Sequence, residues 1–244
     1  MTSSALIPEN SLTHRPPENL IRYVTHKSIR LLSLIPGSAR VVWRGPASGT
    51  AIALTFDDGP EPRRTNAISE VLADNEAPAS FFVLVEKAER APSLIRDLVA
   101  AGHEINLHSD RHERLDLVPV TKLAGRLAGA RRDLEDLIGR RVRYFRPPFG
   151  RTSWRTLLAA RRAELEIALW SHDALDWMPR EPQVLDASIK GCLVPGAIVL
   201  LHDDAGGYPD QGWATAASLR RVLSHVRSEI SPVTLSRLCS RVTE

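Results

Sequence analysis

Short apolar runs alternate with stretches of helical spacing from residue 50 to the end of the chain. Apolar residues recur at three- and four-residue intervals over 120–138 and again over 219–226, so these stretches predict amphipathic helices. Seven apolar runs predict strands: Ala51–Phe56, Ser80–Val85, Glu104–Leu107, Arg143–Phe145, Ile167–Trp170, Ala197–Leu201 and Val233–Leu235. The run that ends at Leu201 has no polar alternation, as expected for a parallel strand buried on both faces. This order of elements predicts an α/β fold with a mostly parallel sheet, as an incomplete barrel or an open sheet.

The N-terminal part of the chain follows a different pattern. Residues 1–17 contain Ser, Thr and Pro without an apolar period, which predicts disorder. Residues 18–35 carry enough apolar positions for one amphipathic helix, which the Pro-Gly pair after it would end. The imperfect apolar face favours a helix packed on the main domain over a basic helix in weak contact with a membrane surface. We therefore expect an N-terminal extension over residues 1–47 and one domain over residues 48–244.

The charge distribution separates the same two parts. The chain has a net charge of +3, but residues 1–48 hold six Lys and Arg against two acids, a net charge of +4. The other residues hold 26 Lys and Arg against 27 acids, a net charge of −1. The basic excess therefore lies outside the main domain, which argues against a nucleic-acid-binding face there.

Targeting and redox signals are sparse. No apolar run reaches the length of a membrane-spanning helix, and the first thirty residues lack the apolar segment of a signal peptide. The chain as written is therefore expected in the cytoplasm, with export left open if translation starts elsewhere. Cys192 and Cys239 lie in no CxxC pair, so we expect two buried thiols, with a single disulfide as the alternative.

Polar side chains follow directly after five of the predicted strands. They are Asp57-Asp58, His108, Arg146, His172-Asp173 and His202. Because the carboxyl ends of parallel strands meet at one edge, where sites of α/β proteins are built, we expect these side chains to lie close together.

The first two groups carry donors for a metal ion. Asp57 and Asp58 can converge on one site only where the strand ends, and the Gly-Pro pair that follows supplies that break. His108 and His112, four residues apart, would share one face of a helical turn and can chelate one ion. An Asp-His-His set leaves a position for water, as in catalytic zinc sites, and leaves the second aspartate available as a base.

The later groups carry a fixed cation and a proton donor. Arg146 is followed by two prolines that stiffen the backbone, and its guanidinium can hold a carboxylate bidentately. His202 ends the most apolar strand and is a natural proton donor to a leaving amine near neutral pH. A carboxylate beside this histidine would orient the ring and raise its pKa.

Five stretches of the chain, in this order, resemble the five motifs of the polysaccharide deacetylase family, also called NodB-homology domains or carbohydrate esterase family 4. TFDDGP resembles the first motif, HSDRH the second, RPPF the third, DALDW the fourth and LLH the fifth. Each motif is short, but five in the family's order are specific, and the resemblance spans roughly residues 48–240. It implies a distorted (β/α)7 barrel, a divalent metal that is usually zinc, and an acetylated carbohydrate substrate.

The resemblance also implies a role for each motif residue. Three residues would bind the metal: Asp58, His108 and His112. Asp57 would be the general base, oriented by Arg146. His202 would be the general acid, tuned by Asp173.

Three further residues would contact the substrate. The backbone N–H of Phe149 would help to hold the oxyanion, and Trp177 and Leu201 would line the pocket for the acetyl methyl group. Many family members have Tyr where this chain has Phe149, a small change if the backbone N–H is the donor. The basic N-terminal segment lies outside the family pattern.

The expected function is metal-dependent hydrolysis of an N-acetyl group on a carbohydrate. One alternative is hydrolysis of another amide or of an O-acetyl ester on the same fold. Another is a catalytically silent carbohydrate-binding domain, against which the presence of both Asp57 and His202 counts. The lack of an export signal fits a cytoplasmic oligosaccharide, a lipid-linked sugar or a small amide better than a wall polymer.

Overall fold

The structure, a computed structural model, describes residues 37–204, 211–226 and 229–240. The disorder expected over 1–17 and the helix expected over 18–35 lie outside these residues. Among the helices in the described ranges, none is both long enough and apolar enough to cross a membrane.

One sheet with parallel pairing forms the centre of the described part of the chain. Its strands are β1 (Val41–Val42), β2 (Ala51–Asp57), β3 (Ser80–Leu84), β4 (Glu104–Ser109), β5 (Tyr144–Phe145), β6 (Glu166–Ala168), β7 (His172–Asp173), β8 (Ile198–His202) and β9 (Ser231–Pro232). The order across the sheet is β1-β6-β5-β4-β3-β2-β8-β7, and β9 lies beside β2. Strands β2 to β8 curl into a half-barrel with helices around it. The expected distorted (β/α)7 barrel is therefore confirmed.

Helices connect and cover the strands. In the described ranges they are α1 (Pro62–Asp74), α2 (Val85–Ala88), α3 (Pro92–Ala100), α4 (Val120–Ile138), α5 (Trp154–Arg162), α6 (Pro182–Cys192), α7 (Gln211–Val226) and α8 (Leu235–Ser240). The apolar positions that predicted a helix over 120–138 form the buried face of α4, which includes Leu123, Leu127 and Leu134. Helix α7 matches the helix predicted over 219–226 and begins earlier in the chain. Neighbouring helices pack in pairs, with α4 on α5 and α7 on both α1 and α6.

Strand β2 is central to the sheet and buried along its whole length. It lies between β3 and β8, and all seven of its residues are buried. Burying a side chain such as Leu54 or Phe56 contributes about 1.5–3 kcal/mol. The end of β2, which carries Asp57, is therefore held firmly at the centre of the sheet edge where the other strands also end.

Two of the predicted strands differ from the observed ones. Strand β6 ends inside the predicted run Ile167–Trp170, and the separate strand β7 consists of a His-Asp pair that apolar patterning does not detect. The predicted strand Val233–Leu235 is wrong, because β9 precedes it and Leu235 begins α8, where its N–H donates to Ser80 Oγ at 2.8 Å. Three apolar residues cannot distinguish a strand from the start of a buried helix.

The two cysteines are buried and unpaired. Cys192 ends α6 and Cys239 lies in α8, and each thiol is free. Burial raises the pKa of the Cys192 thiol to about 11, and burial also raises the pKa of Cys239. Both thiols are therefore protonated and unreactive near neutral pH.

Candidate active site

The polar groups that follow the strands meet at the carboxyl edge of the half-barrel. Asp57 ends β2 and lies in register with His202 at the end of the neighbouring β8. His108 lies in β4, and Arg146 follows β5 directly. This edge is the usual place for a site in a parallel α/β protein, because several strand ends project side chains into one space.

Arg146 is fully buried and holds Asp57. Its Nη1 donates to Asp57 Oδ1 at 2.7 Å and to Thr55 Oγ1 at 2.9 Å. Its Nε and Nη2 donate to the carbonyl oxygens of Ala168 and Leu169, each at 3.1 Å. Burial lowers the pKa of Arg146 and the Asp57 carboxylate opposes that shift, and a guanidinium stays charged in proteins. The ion pair therefore fixes one oxygen of Asp57 and leaves Oδ2 for the site.

The turn after β2 brings two consecutive carboxylates to the same histidine. Side chains alternate along an extended strand, but Asp58 has a φ of 78°, in the left-handed region. Asp57 Oδ2 lies 4.0 Å from His108 Nδ1, and Asp58 Oδ1 lies 3.2 Å from His108 Nε2. A non-glycine residue in this region stores roughly 1–3 kcal/mol of strain. The Asp58 carbonyl oxygen accepts a hydrogen bond from Lys87 Nζ at 2.6 Å, which stabilises the turn.

Asp58, His108 and His112 form a cluster that can hold a metal ion. Asp58 Oδ1 lies 3.2 Å from His108 Nε2 and 3.2 Å from His112 Nε2. Ligand atoms at the usual zinc distance in a tetrahedral site are about 3.3 Å apart, so the spacing fits. Asp58 Oδ1 is also buried without a hydrogen-bond donor among the described residues. A buried carboxylate oxygen facing two imidazole nitrogens is the arrangement that a divalent cation satisfies.

The two histidines do not share a helical turn, as their spacing predicted. His108 lies in β4, and His112 lies in an irregular segment after it. Ser109, which has a φ of 118°, ends the strand and redirects the chain. The histidine rings are then stacked with their centroids 5.5 Å apart. The same pairing of ligands is therefore reached by a strand and a loop.

The charge states of Asp58 and His112 suit metal binding. Burial alone would raise the pKa of Asp58, but His108, His202 and His112 together bring it well below the usual range. Burial lowers the pKa of His112, although Asp58 opposes the shift. An ionised carboxylate and neutral imidazoles are the forms that bind a metal.

His202 is paired with Asp176. Its Nδ1 lies 2.8 Å from Asp176 Oδ1, and its backbone N–H donates to Asp176 Oδ2 at 2.8 Å. Thr215 Oγ1 donates to the same Oδ2 at 2.8 Å, so the fully buried carboxylate is fixed on both sides. Burial would lower the pKa of His202, but Asp176, with smaller effects from Asp58 and Asp57, raises it to about 9. The imidazolium can therefore donate a proton near neutral pH.

The assignment of Asp173 as the partner of His202 is wrong. Asp173 Oδ1 instead accepts a hydrogen bond from the Leu175 N–H at 2.9 Å. Leu175 has a φ of 55°, and this left-handed turn returns the chain so that Asp176 lies beside the end of β8. Both aspartates belong to the DALDW stretch, and spacing alone cannot tell which of two carboxylates three residues apart will face a neighbouring strand.

Phe149 stands at the open side of the cluster. Its side chain is 56% exposed, and its ring meets the His112 ring edge-on with the centroids 4.3 Å apart. Its φ of 60° belongs to a short 3-10 turn closed by hydrogen bonds from Gly150 N–H to Pro147 O and from Arg151 N–H to Pro148 O. Neither bond uses the Phe149 N–H, the group expected to contact an oxyanion. Trp177 follows Asp176 directly and is half-buried.

Strand alternation places Leu200, and not the predicted Leu201, on the face of the site. Leu200 pairs in register with Thr55, whose hydroxyl contacts the buried arginine inside the half-barrel. Leu201 pairs with Phe56, which points to the opposite face and stacks on another phenylalanine ring 5.0 Å away. Residues i and i+2 share a face, so Leu200 accompanies His202.

Sequence reasoning did not identify the groups that support the turn after β2. Lys87 Nζ bridges that turn to Asp204 Oδ2 at 2.7 Å, and Arg64 Nη2 donates to Asp204 Oδ1 at 2.7 Å. The buried Asp203 accepts a hydrogen bond from Thr65 Oγ1 at 2.6 Å, and burial raises its pKa to about 7. The two aspartates directly follow the LLH stretch, which was a usable signal. Lys87 and Thr65 belong to no motif.

Comparison with known proteins agrees with this geometry. The sequence model of the family described as polysaccharide deacetylase matches residues 44–168. The chitooligosaccharide deacetylase of Sinorhizobium fredii is 37% identical over 180 residues, which cover 72% of this chain and 82% of that protein.

Solved structures share the fold. The Bc1960 peptidoglycan N-acetylglucosamine deacetylase superposes with a TM-score of 0.77 at 26% identity, over 85% of this chain and 96% of that one. BA3943 of Bacillus anthracis, a CE4 family pseudoenzyme, has a TM-score of 0.73 at 22% identity, over 82% of this chain and 69% of that one. The second likeness concerns the fold alone, so catalysis has to be argued from the residues of the site. On its motifs, fold and sequence relatives together, the chain belongs to the polysaccharide deacetylase family.

Proposed function

We propose that this protein removes the N-acetyl group from N-acetylglucosamine residues of a chitooligosaccharide or peptidoglycan-like glycan, with Zn²⁺ at Asp58, His108 and His112. One observation carries the proposal. Two imidazole nitrogens each lie 3.2 Å from Asp58 Oδ1, at the same sheet edge as a buried Asp57–Arg146 pair and a largely buried His202–Asp176 pair. A carboxylate and two imidazoles are a donor set that suits zinc. The glycan is inferred from what the related deacetylases are named for.

The residues around the cluster have complementary proton roles. A bound divalent ion would polarise the acetyl carbonyl and lower the pKa of water in the site. Asp57 Oδ2 then accepts a proton from the attacking water, while Arg146 keeps Oδ1 in place. His202 donates its proton to the amine nitrogen as the C–N bond breaks, and acetate leaves. The N–H of Phe149 donates to the oxyanion that forms during attack.

The state of His202 favours an amide substrate over an ester. An amine is a poor leaving group unless it is protonated, whereas an alcohol needs less help from an acid. A histidine whose pKa is raised to about 9 holds the required proton across the neutral range.

Acetate release from acetylated chitooligosaccharides and peptidoglycan fragments tests the proposal. We expect zinc to be bound by the purified protein and activity to return when Zn²⁺ is added after chelation. Asp57→Asn should lower kcat at least about 100-fold, the lower end of what a positioned base contributes, while zinc content stays unchanged. A metal-free protein without acetate release would refute the proposal, and an active D57N variant would refute the assignment of the base.

A further inference from the structure

The segment that carries His112 has little structure of its own. It follows β4 and runs through bends and turns from residue 110 to the start of α4. The His112 side chain is 32% exposed, whereas that of His108 is only 2% exposed. Packing therefore fixes the first histidine far better than the second, and His112 needs another support to keep its place beside Asp58.

Arg126 of α4 forms hydrogen-bonded ion pairs with the segment on both sides of His112. Its Nη2 donates to Asp110 Oδ1 at 2.7 Å and its Nε donates to Asp110 Oδ2 at 3.2 Å. The same Nη2 also contacts Glu113 Oε1. Asp110 is further held by Ser109 Oγ at 2.8 Å. One guanidinium thus ties together the residues two positions before and one position after His112.

The contact is suited to positioning because of its geometry. A guanidinium and a carboxylate joined by two parallel hydrogen bonds have a defined mutual orientation, which a single ammonium cannot impose. Arg126 projects from α4, a helix of 19 residues whose buried face packs on the core. The contacts of Arg126 therefore link the irregular loop that carries His112 to the rigid helix α4.

We propose that Arg126 is a positioning residue that sets the affinity of the site for its metal by holding His112 in a binding-competent place. The inference rests on the proposed zinc site. Arg126 acts through Asp110 and Glu113, and its role lies in metal affinity more than in the strength of the fold. Groups that orient metal ligands commonly change metal affinity 10- to 100-fold when removed. Because Arg126 is 24% exposed, we expect a change near the lower end of this range.

The same helix supplies a matched control. Arg131 lies further along α4, is similarly shielded, and also contacts two carboxylates, Glu135 and Glu164. Those contacts involve neither the His112 segment nor a strand end. Replacing Arg131 by Met therefore removes comparable ion pairs from the same helix without touching the site.

The experiment measures zinc affinity of the full chain by competition with a chromophoric chelator, for wild type, R126M, R126K and R131M. We expect R126M to raise the Kd for Zn²⁺ about tenfold or more, R126K to give an intermediate value, and R131M to stay within about twofold of wild type. The visible spectrum of the Co²⁺-loaded protein should change for R126M and not for R131M. Thermal unfolding of the metal-free proteins should show similar losses for R126M and R131M.

Two results would overturn the positioning role. One is an unchanged Kd in R126M, and the other is an equal weakening in R131M, which would point to a general effect of helix stability. If R126M does not fold, D110N tests the same contact, because it removes the carboxylate charge that Arg126 binds. An unchanged Kd for Zn²⁺ in D110N would equally refute the positioning role. A wild-type protein that binds no zinc would refute the proposed function itself, whereas normal zinc binding with an insensitive Arg126 refutes the positioning role alone.

Discussion

Replacing Asp176 by Asn should move the alkaline limit of activity downward. In the structure, Asp176 contacts both the ring and the backbone N–H of His202, and it is the main reason that the pKa of His202 is raised from 6.5 to about 9. The amide of Asn has nearly the same size, so the change removes the charge with little change in packing. Burial, opposed only by the smaller effects of Asp58 and Asp57, then lowers the pKa of His202 toward its ordinary value.

The size of the effect follows from the two protonation states. At pH 7.5 a histidine with a pKa of about 9 is about 97% protonated, whereas one with a pKa of 6.5 is about 9% protonated. Loss of the acid form alone therefore lowers activity about tenfold at this pH. Loss of the charged hydrogen bond, worth about 1.5–3 kcal/mol, adds a further decrease if the ring is no longer held in place.

The assay is kcat/KM for acetate release between pH 5.5 and pH 10. We expect the alkaline limb of D176N to lie at least about one pH unit below that of wild type. A bound cation moves the alkaline limbs of wild type and D176N to lower pH alike, so the test is the pH difference between these two limbs. D173N is the matched control, because it changes the neighbouring aspartate of the same stretch and should leave the alkaline limb in place. The reasoning fails if D176N keeps the wild-type limb, or if D173N moves it by the same amount.

Two further variants probe the supports of the site. Arg146→Lys keeps the charge but cannot reach all four acceptors, so the free energy of unfolding in urea should fall by roughly 1–3 kcal/mol for each carbonyl left unpaired. The control R143K, at a half-exposed pair with Glu166, should change the free energy of unfolding little. An R146K protein as stable as wild type would contradict the account of the buried pair. Gly59→Ala places a methyl group 2.0 Å from Asp203 Oδ2, so thermal unfolding should show that the free energy of unfolding falls by about 1–3 kcal/mol. The control G125A, with open space around it in α4, should be neutral or stabilising. Equal stability of G59A and wild type would show that the turn is not tightly enclosed.

Patterning predicted the fold well where side chains are buried on both sides of a strand. Strands β2, β3, β4 and β8 were recognised because short, unbroken apolar runs between helical periods are typical of buried parallel strands. Strand β7 escaped detection because its two residues are His and Asp. The false strand near Leu235 had the opposite cause, since its apolar residues fill the core from the start of a helix.

The sequence predicted which residues belong to the candidate site better than it predicted which of their side chains contact each other. The motifs brought Asp57, Asp58, His108 and His112 into one group, and the structure places them together. The pairing of His202 with Asp176 depends on a left-handed turn at Leu175, and a leucine does not predict a positive φ. The support given by Arg126 and Lys87 was invisible for a similar reason, because a charged helix residue looks the same whether it faces solvent or a ligand loop.

The register between β2 and β8 has a consequence for how such a protein can change over time. Asp57 and His202 are directly paired across two neighbouring strands, so the backbones that carry the proposed proton acceptor and the proposed proton donor are held at the strand spacing of about 4.8 Å. Substitutions in the connecting loops cannot readily alter that distance. The loops that follow β5 and β7 carry Arg146, Phe149 and Asp176, so only their residues between this machinery and the next helix are free to diversify and to admit a different glycan while the reaction is inherited unchanged. The loop after β4 is constrained in the same way, because replacing it as a whole would remove His112.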